Sequence, residues 1–72
     1  MKKVISNAND LSDAVIRAIS NADDRANYFN CKMYASFFLA DNLCTQAAHD
    51  ELIKWLDASY KFEKQLDALF NL

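Results

Sequence analysis

The hydrophobic positions of residues 27–43, NYFNCKMYASFFLADNL, do not alternate as they would in a half-buried strand; they recur with a helical period. At about 100° per residue, Ala22, Ala26, Phe29, Met33, Phe37 and Ala40 line one stripe. Cys31, Tyr34, Ala35 and Phe38 fall on the opposite side, so only Arg25, Asn30, Lys32 and Asp41 interrupt an apolar surface. A helix apolar nearly all round is covered on most of its sides. The pattern predicts a central helix over about 22–43, with Phe37 in the middle of its core stripe.

The flanking segments supply two further helices. Leu11, Val15, Ala18, Ile19 and Ala22 share one face, which predicts a first helix over about 9–20, with Asp10 as its cap and Asp13 in its first turn. Val4 and Ala8 prolong that stripe backwards. Ser6-Asn7-Ala8-Asn9-Asp10, however, consists of residues that favour caps over helix interiors, and this places the start between Asn7 and Asp10 rather than near Lys3. Downstream, Thr45 is a good N-cap. Leu52, Trp55, Ser59, Phe62, Leu66 and Leu69 then keep a three-four spacing with Leu56 and Phe70 beside them, opposite a wet face of Lys54, Asp57, Lys61, Lys64 and Asp67 that includes an Asp57–Lys61 pair. They predict a long third helix over about 46–71. The short connection at residues 41–45 makes helices 2 and 3 antiparallel neighbours. The expected fold is all-α: a single domain over 1–72, a three-helix bundle built on a long antiparallel helix 2/helix 3 hairpin with a shorter N-terminal helix.

Composition narrows the turn chemistry. With Gly 0 and Pro 0, turns that need a positive φ or a fixed proline φ lack their usual residues, so the connections fall to Asn, Asp and Ser. Ser20-Asn21-Ala22-Asp23-Asp24 nearly repeats Ser6-Asn7-Ala8-Asn9-Asp10; the residues downstream of the two copies differ, and both copies read as helix starts rather than as a duplication. A chain of 72 residues buries only about 60% of its unfolded surface, so stability depends on packing or association.

Charge and candidate chemistry exclude more than they select. The net charge of −2 is scattered and forms no basic stripe for phosphates. No run approaches the ~18 apolar residues of a membrane span, and no apolar signal region comes after Lys2 and Lys3, so a cytoplasmic protein without membrane association is expected. Cys31 and Cys44, thirteen apart on a helical reading, cannot bridge within one helix and read as reduced core thiols. His49, the one histidine, reads as a surface residue early in the third helix; its neighbours Asp50 and Glu51 point about 100° apart round the helix, and a zinc site built on Cys44 and His49 would need two more ligands at normal spacing. No catalytic set, cofactor or metal site is expected.

The function expected is binding to another protein by a non-catalytic helical module: an inhibitor, adaptor or assembly factor, of the kind phages and plasmids carry as accessory proteins against a host or defence enzyme. Its basis is the excess of apolar surface on the central helix over what short neighbours can cover. The face expected to stay open comprises Tyr34, Phe38 and Leu39, extended by Ile53 and Tyr60 on helix 3, with a protein partner or a homodimer covering it. The alternative, a helix-turn-helix that binds nucleic acid, would use the central helix as reader, and Asp23 and Asp24 in its first turn count against it.

Overall fold

Four helices succeed one another in the computed structural model, which describes residues 3–70: α1 (Ala8–Asn21), α2 (Tyr28–Ala40), α3 (Gln46–Ser59) and α4 (Lys61–Phe70). Helices account for 75% of the described residues, no strand forms among them, and α1, α2 and α3 pack mutually as an all-α three-helix bundle. The three are close to equal in length, in place of a long hairpin with a shorter first helix.

Local chemistry explains the bounds. Asn7 caps α1 instead of Asp10: its Oδ1 accepts the Asp10 N–H at 2.9 Å, while its Nδ2 donates to the Asp10 carboxylate at 3.0 Å. The second Ser-Asn-Ala copy stops a helix where the first starts one. Asp23 takes φ 60°, the Asp24 N–H donates to the Ile19 carbonyl at 3.0 Å and the Asp23 N–H to that of Ser20 at 3.0 Å, the paired bonds of a left-handed C-cap. Consequently α2 begins at Tyr28 and not near Ala22, with Asn27 accepting the Asn30 N–H at 2.8 Å. Asn42, at φ 59°, ends α2 in the same way, through Leu43 N–H to Phe38 at 2.9 Å and Asn42 N–H to Leu39 at 3.0 Å. Asp and Asn are the non-glycine residues most tolerant of that conformation, and they solve the turn problem that the absence of glycine poses. Thr45 caps α3 as expected, accepting the Ala48 N–H at 3.1 Å.

The expected single third helix is divided at Tyr60, whose φ −117° and ψ 48° leave the helical region, and α4 continues the chain as a separate element. The expected last residue, 71, lies outside the described residues. Antiparallel packing of α2 and α3 is evident from their ends: Tyr28 at the start of α2 bonds Asp57 near the end of α3, whereas residues 41–45 join the opposite ends. Ahead of α1 the chain is extended. The Ile5 N–H donates to the Leu43 carbonyl at 2.8 Å and the Ile5 carbonyl accepts from Thr45 at 2.9 Å, so Ile5 packs over the end of the core next to Cys44.

Burial corrects the reading of α2. Tyr28, Cys31 and Ala35 face the core with Phe38 half-buried beside them, whereas Phe37 is 54% exposed and Phe29 is exposed as well. With Ala22 and Ala26 outside the helix, the expected stripe is shortened to Phe29, Met33, Phe37 and Ala40. The opposite stripe wins because Cys31 and Ala35 are small, which lets α2 approach α1 and α3 closely. Those helices contribute Ala8, Leu11, Val15 and Ile19, and Ala48, Leu52 and Leu56.

Candidate protein-binding site

A groove of roughly 460 Å³ opens between α1 and α3. Its floor is core: Val15 from α1, Cys31 from α2, and Leu52 and Leu56 from α3. Its walls are not, because Ile16 on α1 is 48% exposed and Trp55 on α3 is 38% exposed. Helical spacing explains both positions: Ile16 and Trp55 each follow or precede a core residue by one place, about 100° round the helix, and so stand at the edge of the buried stripe. Trp55, read from sequence as core, is therefore a groove wall. Burial pushes the Cys31 thiol above its ordinary range and the Glu63 carboxylate adds to that shift; Cys44 is raised by burial too, and both cysteines are free. A raised thiol is a poor nucleophile at neutral pH.

A polar cluster ties α4 to the start of α2 and the end of α3. The Tyr28 hydroxyl donates to Asp57 Oδ1 at 2.9 Å, Lys64 Nζ lies 3.5 Å from Asp57 Oδ2, and Lys32 Nζ stands 5.5 Å from the centre of the Tyr28 ring. Glu63 accepts the Tyr28 backbone N–H at 2.8 Å, which places a carboxylate on the first turn of α2. The Tyr60 hydroxyl donates to the Ala26 carbonyl at 3.0 Å. Asp57 thus leaves the wet face to which its spacing assigned it, and its ion pair is with Lys64. These contacts hold α4 against the start of α2 and leave the apolar stripe of α4 uncovered: Phe62, Leu66, Leu69 and Phe70 are all exposed, Phe70 to 84%. On sequence these positions, apart from Phe70, were the core stripe of helix 3.

The five residues expected to form an open face, Tyr34, Phe38, Leu39, Ile53 and Tyr60, are each half-buried and packed against the core. Tyr34 leans on Phe37 with ring centres 6.1 Å apart, and its hydroxyl donates to Asp24 Oδ2 at 2.9 Å, a bond that holds the phenol above its usual range. Tyr60 faces Tyr28 at 6.5 Å. The largest exposed apolar side chains lie elsewhere, and sequence spacing assigned most of them to the core. Counting stripes against available covers would have found them, since two apolar faces on the central helix and a stripe along the whole third helix exceed what a thin bundle can bury.

His49 is more enclosed than a surface residue, with 16% of its side chain exposed. Its Nδ1 meets Asp50 Oδ1 at 3.1 Å in spite of their adjacent positions, and Gln46 Nε2 donates to the same oxygen at 2.9 Å. Together these hold the Asp50 carboxyl below its ordinary range. Among the described residues, no three His, Cys, Asp or Glu side chains converge on a point where a metal could sit. No described helix is long and apolar enough to cross a membrane. No protein family, curated protein or solved structure matches the chain at a significant level.

Proposed function

We propose that this chain is a non-catalytic helical protein-binding module, acting as an inhibitor, adaptor or assembly factor, whose α1/α3 groove receives an amphipathic helix. The observation that carries this reading is the groove itself, an apolar floor between the exposed side chains of Ile16 and Trp55. Grooves of this kind take the apolar face of a helix through residues one turn apart. Tryptophan at the wall suits the role, because it offers a large apolar area at low entropic cost and is enriched where partners bind tightly.

The nucleic-acid alternative has less support. The N-terminus of α2, the end a reading helix would present, is occupied by the Glu63 carboxylate, and its flank carries Asp23 and Asp24.

Capture from extracts of the producing cells, with the parent and Trp55→Asp as paired baits, tests the reading. A protein retained by the parent and lost with the variant is expected. Equal retention by both baits would move the binding surface away from the groove.

A further inference from the structure

We infer that the helix received by the groove is α4 of a second copy of this chain, each copy giving its α4 and taking its partner's in a closed two-fold dimer. The inference rests on the groove reading and names its occupant.

Three features of the chain fit this occupant. The first is length. The exposed stripe of α4 runs from Phe62 to Leu69, about 10 Å at ~1.5 Å per residue, and the α3 wall of the groove runs from Leu52 to Ser59 over the same seven steps. The second is charge. Glu51, which is exposed, stands about 40° from Trp55 round its helix and puts an acid beside the α3 wall of the groove. Lys61 and Gln65, also exposed, border one edge of the α4 stripe, so a docked α4 brings a cation and an amide to that acidic wall. The third is area. With ~150–250 Å² of burial available from each aromatic side chain, the exposed parts of Phe62, Leu66, Leu69 and Phe70 offer roughly 400 Å² per copy. Two such helices and the two grooves they fill total about 1,000 Å², the size a specific interface has to reach.

The same copy cannot fill its own groove while its fold is intact. Glu63 on the Tyr28 N–H and Lys64 against Asp57 hold the first turn of α4 at the start of α2. Exchange between two copies leaves those bonds in place. It forms the same contact twice, and a contact between two different surfaces closes without leaving a free end when a two-fold axis relates the copies.

The test is mass in solution by sedimentation, with the emission of Trp55, the only tryptophan, as a second readout. The parent is expected to weigh twice its chain mass at high micromolar concentration, and its emission should shift to the red on dilution as Trp55 meets water. Ile16→Asp in the groove and Leu69→Asp on α4 should each give a helical monomer, since both side chains are exposed in the single chain. Mixing the two variants should restore a weaker dimer, because one intact groove meets one intact stripe. A parent that is monomeric throughout, with emission independent of concentration, would overturn the inference. So would a dimer lost with Leu69→Asp and kept with Ile16→Asp, which would mean that α4 packs on α4. If either variant loses its helical signal, the dilution series on the parent decides alone. A monomeric parent that still captures a different protein through Trp55 refutes the dimer and keeps the groove reading; one that captures nothing refutes both.

Discussion

Helices α1 and α4 carry the same kind of pattern and meet opposite fates. Both are strongly amphipathic, α1 through Ala8, Leu11, Val15 and Ile19, and α4 through Phe62, Leu66 and Leu69 with Phe70 beside them. In α1 those residues are buried, Leu11 to 0% exposure, whereas in α4 each is open to solvent. An apolar stripe states which face of a helix seeks cover, and it says nothing about what supplies the cover. For α1 the cover is local, because α2 and α3 lie alongside it. For α4 the polar bonds of Glu63 and Lys64 set its orientation, and the apolar side is left open to solvent.

The sharpest way to break this comparison is to truncate one stripe at a time. Leu11→Ala should cost about 2–5 kcal/mol through lost transfer energy and a residual cavity, a large part of the ~5–15 kcal/mol that holds a small domain together. Leu69→Ala, studied below the concentration of association, should stay within about 0.5 kcal/mol of the parent. Paired urea titrations followed by circular dichroism read both; equal losses would show that α4 is packed in the isolated chain as tightly as α1.

Next in size is the link that orients α4. Tyr28→Phe keeps the buried ring and removes the donor to Asp57, which should cost about 1–3 kcal/mol for a hydrogen bond to a charged group. An unchanged urea midpoint would show that Asp57 is served fully by Lys64.

A smaller effect should appear in alkali and distinguish the core from the surface. Burial raises the folded Cys31 and Cys44 thiols above their ordinary value near 9.0. The unfolded chain therefore releases these protons first, so stability is fully present below about pH 9 and declines as pH rises past it. Tyr60, whose phenol is raised by burial and by the neighbouring Cys31 and Glu63, should steepen the decline beyond about pH 10. A Cys31→Ala variant should show a flatter slope of melting temperature against pH; an unaltered slope would assign the effect to Cys44 and the tyrosines.

The smallest expected effect is also the plainest correction. Phe37, placed by periodicity at the centre of the core, should tolerate alanine at a cost below about 1 kcal/mol in the single chain, because it is half exposed and its ring leans on the half-buried Tyr34. A loss of several kcal/mol in the same titration would restore the original stripe.

Much of the fold was legible before any coordinates. Leu11, Val15 and Ile19 on one face, Thr45 as a cap and helix throughout all stem from residue types and spacing, which act over one or two turns. The candidate site was less legible. On α2 both faces are apolar, and a periodic pattern cannot rank two apolar faces; that choice fell to the small size of Cys31 and Ala35 and to the reach of the Tyr28 hydroxyl. Tyr34, Phe38 and Leu39 consequently moved towards the core and Phe29 and Phe37 out of it.

The chain by itself determined the helices, their approximate number and the use of Asn and Asp where glycine is lacking, because caps and turns are decided by neighbours a few residues apart. It left open that Asp23 would close a helix instead of standing in the first turn of one, since the same side chains serve both ends. Tertiary structure alone decided the break at Tyr60. Local preference there favours one long helix, but bonds from Tyr60 to Ala26 and from Glu63 to Tyr28 join residues more than thirty positions apart, a distance over which no pattern in the sequence carries a signal. That break turned a core stripe into the exposed face of α4, and with it determined where this protein has surface to offer.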